Sequence, residues 1–178
     1  MDPVPSPIGD EPIPAFRIGH GYDLHRLEPP PPAGQGGPMI LGGVRLEHDR
    51  GPVGHSDGDA LLHAVTDAIL GALGLPDIGE LFPDSDPAWR GADSGRFLRE
   101  AVRRMTEADH RVSNIDVTVV LERPKLSPVK QAIRTNIADL LGVDPSRVNI
   151  KGKTHERVDA IGEGRAVEVH AVVLLARA

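Results

Sequence analysis

No cysteine occurs among the 178 residues. Disulfides and thiolate metal sites are therefore excluded, and any zinc site would have to be built from histidine and carboxylate. Aromatic residues are scarce, at 3% of the chain against 39% for all hydrophobic types, so the core must be made mostly of Val, Leu, Ile and Ala. Positive charge is not in surplus either. Lys and Arg number 20 against 26 Asp and Glu, a net charge of −6 with both signs interspersed. That pattern lacks the basic face of a nucleic-acid binder. An acidic chain that handled a phosphorylated substrate would need metal ions, main-chain N–H groups or a few well-placed bases. Long apolar runs are missing too: stretches such as AVVLLA at 171–176 are far too short to cross a bilayer. Residues 1–14, MDPVPSPIGDEPIP, are rich in proline and acid. They lack the basic and apolar regions of a signal peptide and the arginines of a transit peptide. They read as a flexible tail on a cytoplasmic protein.

What is present suits a single domain over residues 15–178. Weak alternation predicts a strand at 15–25, followed by a Pro/Gly loop at 28–38. MILGGVRL, at 39–46, reads as two short strands around Gly42 and Gly43. The stretch 54–76 predicts a helix capped by Ser56 or Asp57. Leu62, Val65, Ile69 and Leu73 follow its period, and Gly74 and Pro76 end it. Residues 77–92 read as loop. A second helix is expected from Ser94 to Asp109, with Phe97, Leu98, Ala101, Val102 and Met105 as its apolar stripe. A strand at 114–121 precedes a helix at 127–142, punctuated by Ser127, Pro128 and Gly142. Strands at 148–153 and 166–176 complete the chain. The order β, ββ, α, α, β, α, β, β predicts an α/β (α+β) sandwich, one mixed sheet with helices on one face.

Three motifs carry potential chemistry. In GYDLHRL, Asp23 and His25 are two residues apart and so share one face of a strand. In HSDGDALLH, His63 falls about two turns into a helix. Asp, His and His without any Cys match a tetrahedral zinc site with one open position, as catalysis requires. The plainer readings are a solvated strand end for Asp23 and His25, and a satisfied core histidine for His63. Asp59 and Asp67, four residues either side of His63, could orient its ring or be surface acids. DIGELFPDSD, at 77–86, is a turn-rich loop whose carboxylates and bare N–H groups would suit a hydroxyl-rich ligand.

RIGHGYDLHRL, LGGVRL, GHSDGDALLHAVTDAILGALGLPDIGELFPDSDP, RPKLSP and GKTHE occur in this order. Together they resemble the 2-C-methyl-D-erythritol 2,4-cyclodiphosphate synthase family of the non-mevalonate isoprenoid pathway. The resemblance runs from Arg17 to the last strand. It implies a lyase that converts 4-diphosphocytidyl-2-C-methyl-D-erythritol 2-phosphate to the cyclic diphosphate and CMP. It also implies a homotrimer, with sheets around a central axis and active sites between subunits. By resemblance, Zn²⁺ falls on Asp23, His25 and His63, and the substrate meets Asp23, Leu24 and His25. His55 and Ser56 contact the substrate, His55 as a transition-state stabiliser. The erythritol falls to Asp77, Ile78 and Gly79, and to Phe82, Pro83, Asp84, Ser85 and Asp86. Cytidine maps to Leu121, Pro124, Lys125, Leu126 and Ser127. The diphosphate maps to Lys153, Thr154, His155 and Glu156, with Thr154 the second stabiliser and Glu156 holding Mg²⁺ or Mn²⁺.

The chain departs from the commonest bacterial pattern in one region. KGKTHE stands where many bacterial members have KATTTE, and Ala160 and Glu163 replace a usual Phe and Arg. Those two positions line an axial cavity that accepts isoprenoid diphosphates in some members; the THE form resembles the plant-type branch. Two other functions compete: a metal-dependent phosphoesterase using water at an open zinc position, and a non-catalytic protein with structural zinc. A phosphoesterase would have no use for a cytidine segment such as RPKLSP, and the intact HSDGD, DIG and FPD segments argue against decay.

Overall fold

A computed structural model describes residues 15–178. The expected tail at 1–14 lies outside the described residues. Strand β1 spans Phe16–Glu28, and β2 (Ile40–Leu41) and β3 (Val44–Arg45) form the expected hairpin. A two-residue strand that periodicity could not reveal, β4 (Gly51–Pro52), pairs with the end of β1. Helix α1 spans Ala60–Leu73, the one-turn α2 Ile78–Leu81 and helix α3 Gly95–Glu107. β5 (His110–Val120), α4 (Lys130–Leu141), β6 (Val148–Lys153), the short α5 (Asp159–Gly162) and β7 (Ala166–Arg177) follow.

The sheet order is β4-β1-β7-β5-β6. It is mixed: β5 and β6 run parallel, and the other pairs run antiparallel. α1 packs on β1 and β7, α3 on α1, and α4 on β6 and α3, so the helices share one face. The core between the layers is aliphatic, with Leu61, Leu62, Ile69, Leu98, Ile133, Ile137 and Leu175 fully buried. Each such side chain contributes about 2 kcal/mol by leaving water.

Two glycines set how closely the layers approach. A Cβ on Gly19 would lie 1.8 Å from the Ala68 carbonyl oxygen, and one on Gly21 1.8 Å from that of Ala64. The backbone of α1 thus rests directly on β1. Alternation puts Asp23 and His25 on this same helix-covered face. The other face of β1 and β7 shows Phe16, Ile18, Tyr22, Leu24 and Val172 to solvent.

Three local expectations are corrected. Neither Ser56 nor Asp57 caps α1. Asp59 does, its side chain accepting from Leu61 N–H and Leu62 N–H, because the HSDGD segment is a loop folded over the cleft rather than a first helical turn. Ser127 does not cap α4. That helix starts at Lys130 after Val129, without a side-chain cap, since Leu126 to Val129 already form a turn bonded through the Leu126 carbonyl. The stretch 77–92 is not wholly loop: Asp77 caps α2, and Asp86 caps a 3-10 turn over Pro87–Trp89.

Candidate active site

β1 presents Asp23 and His25 to α1, and α1 returns His63 to them. Asp23, His25 and His63 each offer a ligand atom within 4.8 Å of the others, a group able to hold a metal ion. Asp23 Oδ2 is 3.0 Å from both His25 Nδ1 and His63 Nδ1. Burial pushes the Asp23 carboxyl up, but the two imidazoles beside it, His25 and His63, outweigh burial and hold the group well below the usual carboxylate range. Burial pushes His63 down, and Asp23 reverses that, with smaller help from Asp59 and Asp57, so its net shift is upward. His25 Nδ1 approaches Asp23 without the alignment of a hydrogen bond, and this buried nitrogen has no partner among the described residues. A carboxylate with an orphaned ring nitrogen and a second imidazole facing it is a donor set that suits a divalent cation.

The far side of His63 is held by neither Asp59 nor Asp67. His63 Nε2 lies 2.8 Å from Ser94 Oγ and 3.2 Å from Ser56 Oγ. The Ser94 hydroxyl donates to Asp57. Asp59 is instead fully buried as a structural knot. Besides capping α1, it accepts from Gly42 N–H at 2.9 Å and Gly43 N–H at 2.6 Å, tying the β2–β3 hairpin to the helix. Asp67 accepts from Ile78 N–H at 2.8 Å and so anchors α2.

The cluster opens into a cleft of ≈ 360 Å³. His55 and Ser56 line one side, Ile78, Gly79 and Asp84 another, and Phe82, Trp89 and Phe97 the floor. The three aromatic rings pack with centroids 4.6–5.8 Å apart. The buried Nε2 of His55 has no hydrogen-bond partner among the described residues.

A second pocket, also ≈ 360 Å³, lies where β5 and β6 end beside α4. Leu121, Leu126 and Gly152 give it apolar walls; Lys125, Lys130 and Lys153 give it positive charge; Ser127, Thr154 and Glu156 complete it. Thr154 Oγ1 donates to Glu156 Oε1 at 2.6 Å. Both pockets lie at the same end of the sheet, since His25 pairs with Val167, Val169 with Val119, and Val120 with Lys153. β7 alone stands between β1 of the first and β5 of the second, two strand spacings or about 10 Å across.

Residues 16–176 match the model of the YgbB family. The chain belongs to that family. It is 61% identical over 162 residues to the chloroplastic 2-C-methyl-D-erythritol 2,4-cyclodiphosphate synthase of Oryza sativa subsp. japonica, across 91% of this chain and 70% of that protein. It is 52% identical over 163 residues to the 2-C-methyl-D-erythritol 2,4-cyclodiphosphate synthase of Chromobacterium violaceum, across 92% and 99%. Among solved structures, the CDP complex of IspF from Plasmodium falciparum is similar with a TM-score of 0.79 at 37% identity, across 92% of this chain and 97% of that one.

In this YgbB chain the expected site residues fall into two groups and a few outliers. His25, His55, Ser56, His63, Ile78, Gly79, Phe82 and Asp84 line the first cleft, with Asp23 behind the two histidines. Leu121, Lys125, Leu126, Ser127, Lys153, Thr154 and Glu156 line the second. Leu24 points its side chain to the opposite face, 46% exposed, and meets the site only through its N–H, which donates to Asp23 Oδ1 at 2.9 Å. Asp77 and Asp86 are occupied as caps, Pro83 accepts from Asp86 N–H, and Ser85 is exposed. Pro124 lies outside the second pocket's lining, and His155 is turned to Asp159 at 2.9 Å. Trp89, Ser94 and Lys130 join the sites without having been singled out by sequence, and Phe97 had the pattern of a plain core residue. Helical periodicity places Phe97 and Ser94 at the start of α3 but says nothing of the cleft beneath them.

Proposed function

We propose that this chain, as one domain over 15–178, performs the cyclodiphosphate synthase reaction on 4-diphosphocytidyl-2-C-methyl-D-erythritol 2-phosphate. The observation that carries this is the Asp23/His25/His63 cluster opening onto a cleft with His55 and the Ile78–Gly79 backbone. The names of its relatives give that cleft a substrate. In the reaction, an oxygen of the 2-phosphate bonds to the β-phosphorus of the same molecule. The bond from that phosphorus to the bridging oxygen breaks, and CMP leaves with the electron pair. The nucleophile is already an anion, so no strong base is needed. The protein's tasks are to bend the substrate and to offset charge in the transition state.

Asp23, His25 and His63 would hold Zn²⁺, and Glu156 would hold Mg²⁺ or Mn²⁺; when bound, these ions supply Lewis-acid polarisation and charge neutralisation at the phosphoryl oxygens. His55 lines this cleft and would stabilise the transition state; its Nε2 is buried without a hydrogen-bond partner among the described residues. The aromatic floor of Phe82, Trp89 and Phe97 keeps water from beneath the erythritol. In the second pocket Lys125 and Lys153 receive the diphosphate, and Leu121 and Leu126 flank the cytosine. Thr154, which donates to Glu156 in the free chain, would be released to donate to substrate if Glu156 held an ion. The test is incubation with the cytidyl substrate and Mg²⁺, followed by phosphorus NMR. Appearance of CMP with the cyclic product supports the reading; water-dependent release of monoesters would establish a phosphoesterase instead.

Assembly completes this proposal. Each chain carries both pockets, but two strands apart, and Phe16, Ile18, Tyr22, Leu24 and Val172 leave an apolar sheet face in solvent. A homotrimer that buries this face around a central axis would bring the first cleft of one subunit beside the second pocket of its neighbour. Glu163 is paired with Arg165 at 2.6 Å, so the Arg165 guanidinium would not be free for a prenyl diphosphate on the axis. Native mass spectrometry reads both points: a ligand-free trimer is expected, a monomer or dimer refutes the assembly, and a trimer carrying prenyl diphosphate refutes the cavity assignment. Among the described residues no helix is long and apolar enough to cross a membrane.

A further inference from the structure

We propose that Ser94 and Asp57 are positioning residues that orient the His63 imidazole for metal binding, through a chain of hydrogen bonds from His63 Nε2 to Ser94 and from Ser94 to Asp57. The inference rests on reading Asp23, His25 and His63 as a metal centre.

The direction of the chain follows from proton counting. An ionised Asp57 only accepts. Its Oδ1 takes the Asp59 N–H at 3.1 Å, and its Oδ2 takes the Ser94 N–H at 3.1 Å. The Ser94 hydroxyl has one proton, and it goes to Asp57 Oδ1. Ser94 Oγ is left as an acceptor, 2.8 Å from His63 Nε2. That nitrogen must therefore carry the ring's N–H. Its partner Nδ1 faces Asp23 at 3.0 Å, and a cation bound there would take the place of the proton that this contact holds. Ser94 is fully buried, so water does not compete for the contact. Ser56 Oγ is a weaker alternative: it lies 3.2 Å away and already accepts from Gly58 N–H at 3.2 Å.

The geometry also explains why the middle Asp of HSDGD stands where it does. Asp57 N–H donates to Ala92 O at 3.0 Å. With the Asp57–Ser94 bonds this pins the loop before α1 to the first residues before α3, 37 positions later in the chain. The ring of His63 is thereby set by two segments that meet only in the folded protein.

The experiment measures zinc affinity by competition with a chromophoric chelator, on the wild type and on Ser94→Ala, Ser94→Thr, Asp57→Asn and Ser56→Ala. CDP affinity and circular dichroism serve as controls for the second pocket and the fold. Nitrogen-15 NMR of the zinc-loaded protein follows the Nε2–H of His63. Ser94→Ala and Asp57→Asn should weaken zinc binding about 10- to 100-fold while CDP affinity stays within about twofold. The Nε2–H signal, shielded in the wild type, should exchange with water in Ser94→Ala. Ser94→Thr, which keeps the hydroxyl, should restore affinity, and Ser56→Ala should leave it near the wild-type value. Unchanged zinc affinity in a folded Ser94→Ala protein would overturn the positioning role alone. A wild type that binds no zinc would overturn the metal reading with it.

Discussion

The two pockets of this chain lie at one end of the same sheet and are built by opposite means. The Asp23/His25/His63 cluster stands on β1 and α1, is mostly buried, and has a fixed frame. Gly19 and Gly21 bring α1 onto the strand, Asp59 locks the helix start, and Ser94 holds the outer edge of His63. The Lys125–Glu156 pocket ends in a loop where Glu156, Arg157 and Asp159 sit at φ of 52°, 65° and 61°. Those non-glycine residues carry left-handed strain of about 1–3 kcal/mol each. The loop satisfies its polar groups internally, Thr154 with Glu156 and His155 with Asp159. The first site is preorganised before any ligand arrives. A ligand entering the second would have to exchange internal hydrogen bonds for its own, so changes to its residues should show on binding rather than in the free protein.

Removing a ligand from the rigid side breaks the comparison most severely. In His63→Ala, bound zinc should fall from one per chain to a small fraction, by metal analysis of dialysed protein. Turnover should drop about a hundred- to a thousand-fold. Full zinc occupancy in that variant would remove His63 from the metal centre. CDP binding at the second pocket should survive, because His63 does not line that pocket.

Asp59→Ala attacks the frame instead of the ligands. Four backbone N–H groups lose their acceptor: Gly42, Gly43, Leu61 and Leu62. The expected cost is on the order of 3–5 kcal/mol in urea unfolding, from the lost cap and the stranded buried donors. Stability within about 0.5 kcal/mol of the wild type would show that the hairpin and helix find other partners. Asp59→Asn, which keeps one acceptor oxygen, should cost less.

That distinction also shows which features could be read from sequence. The clustering of Asp23, His25 and His63 was legible because strand alternation and helix spacing are local rules, and because the absence of cysteine narrowed the donor types. All the long elements were legible for the same reason. Asp59 was not. Its partners Gly42 and Gly43 come from a hairpin 16 and 17 residues upstream, and no periodicity encodes that meeting. Ser94 and Trp89 were hidden likewise, since their contacts exist only where loops cross. β4 and α2 are too short to leave a pattern, and α4 shows a serine and a proline in good order while starting beyond both.

Gly21→Ala tests the closeness of the layers. The new Cβ would meet the Ala64 carbonyl oxygen at 1.8 Å and the Ala68 nitrogen at 2.7 Å. Both are backbone atoms and neither can rotate away, so α1 must lift from β1. A loss of about 2–3 kcal/mol is expected in thermal or denaturant unfolding. Zinc affinity should fall with it, because lifting α1 carries His63 from Asp23 and His25. Loss of stability with zinc affinity intact would separate the scaffold from the site and weaken the link drawn between them.

The smallest expected effect sharpens the other half of the comparison. Lys125 lines the second pocket beside Lys130 and Lys153, so a diphosphate there meets three cations and the single carboxylate of Glu156. Removing one of the three should not abolish binding. Lys125→Ala is expected to raise the calorimetric Kd for CDP about tenfold, near 1.4 kcal/mol, the lower end for a charged hydrogen bond. Thermal stability without ligand should hardly change, because the Lys125 side chain is exposed. The base should be read separately from the phosphates. Main-chain groups around Pro124–Leu126 are expected to prefer CDP to UDP, in wild type and Lys125→Ala alike, since a backbone contact does not depend on the lysine. Equal affinity of the wild type for the two nucleotides would refute base reading. A Lys125→Ala variant that binds CDP as the wild type does would move the diphosphate onto Lys130 and Lys153.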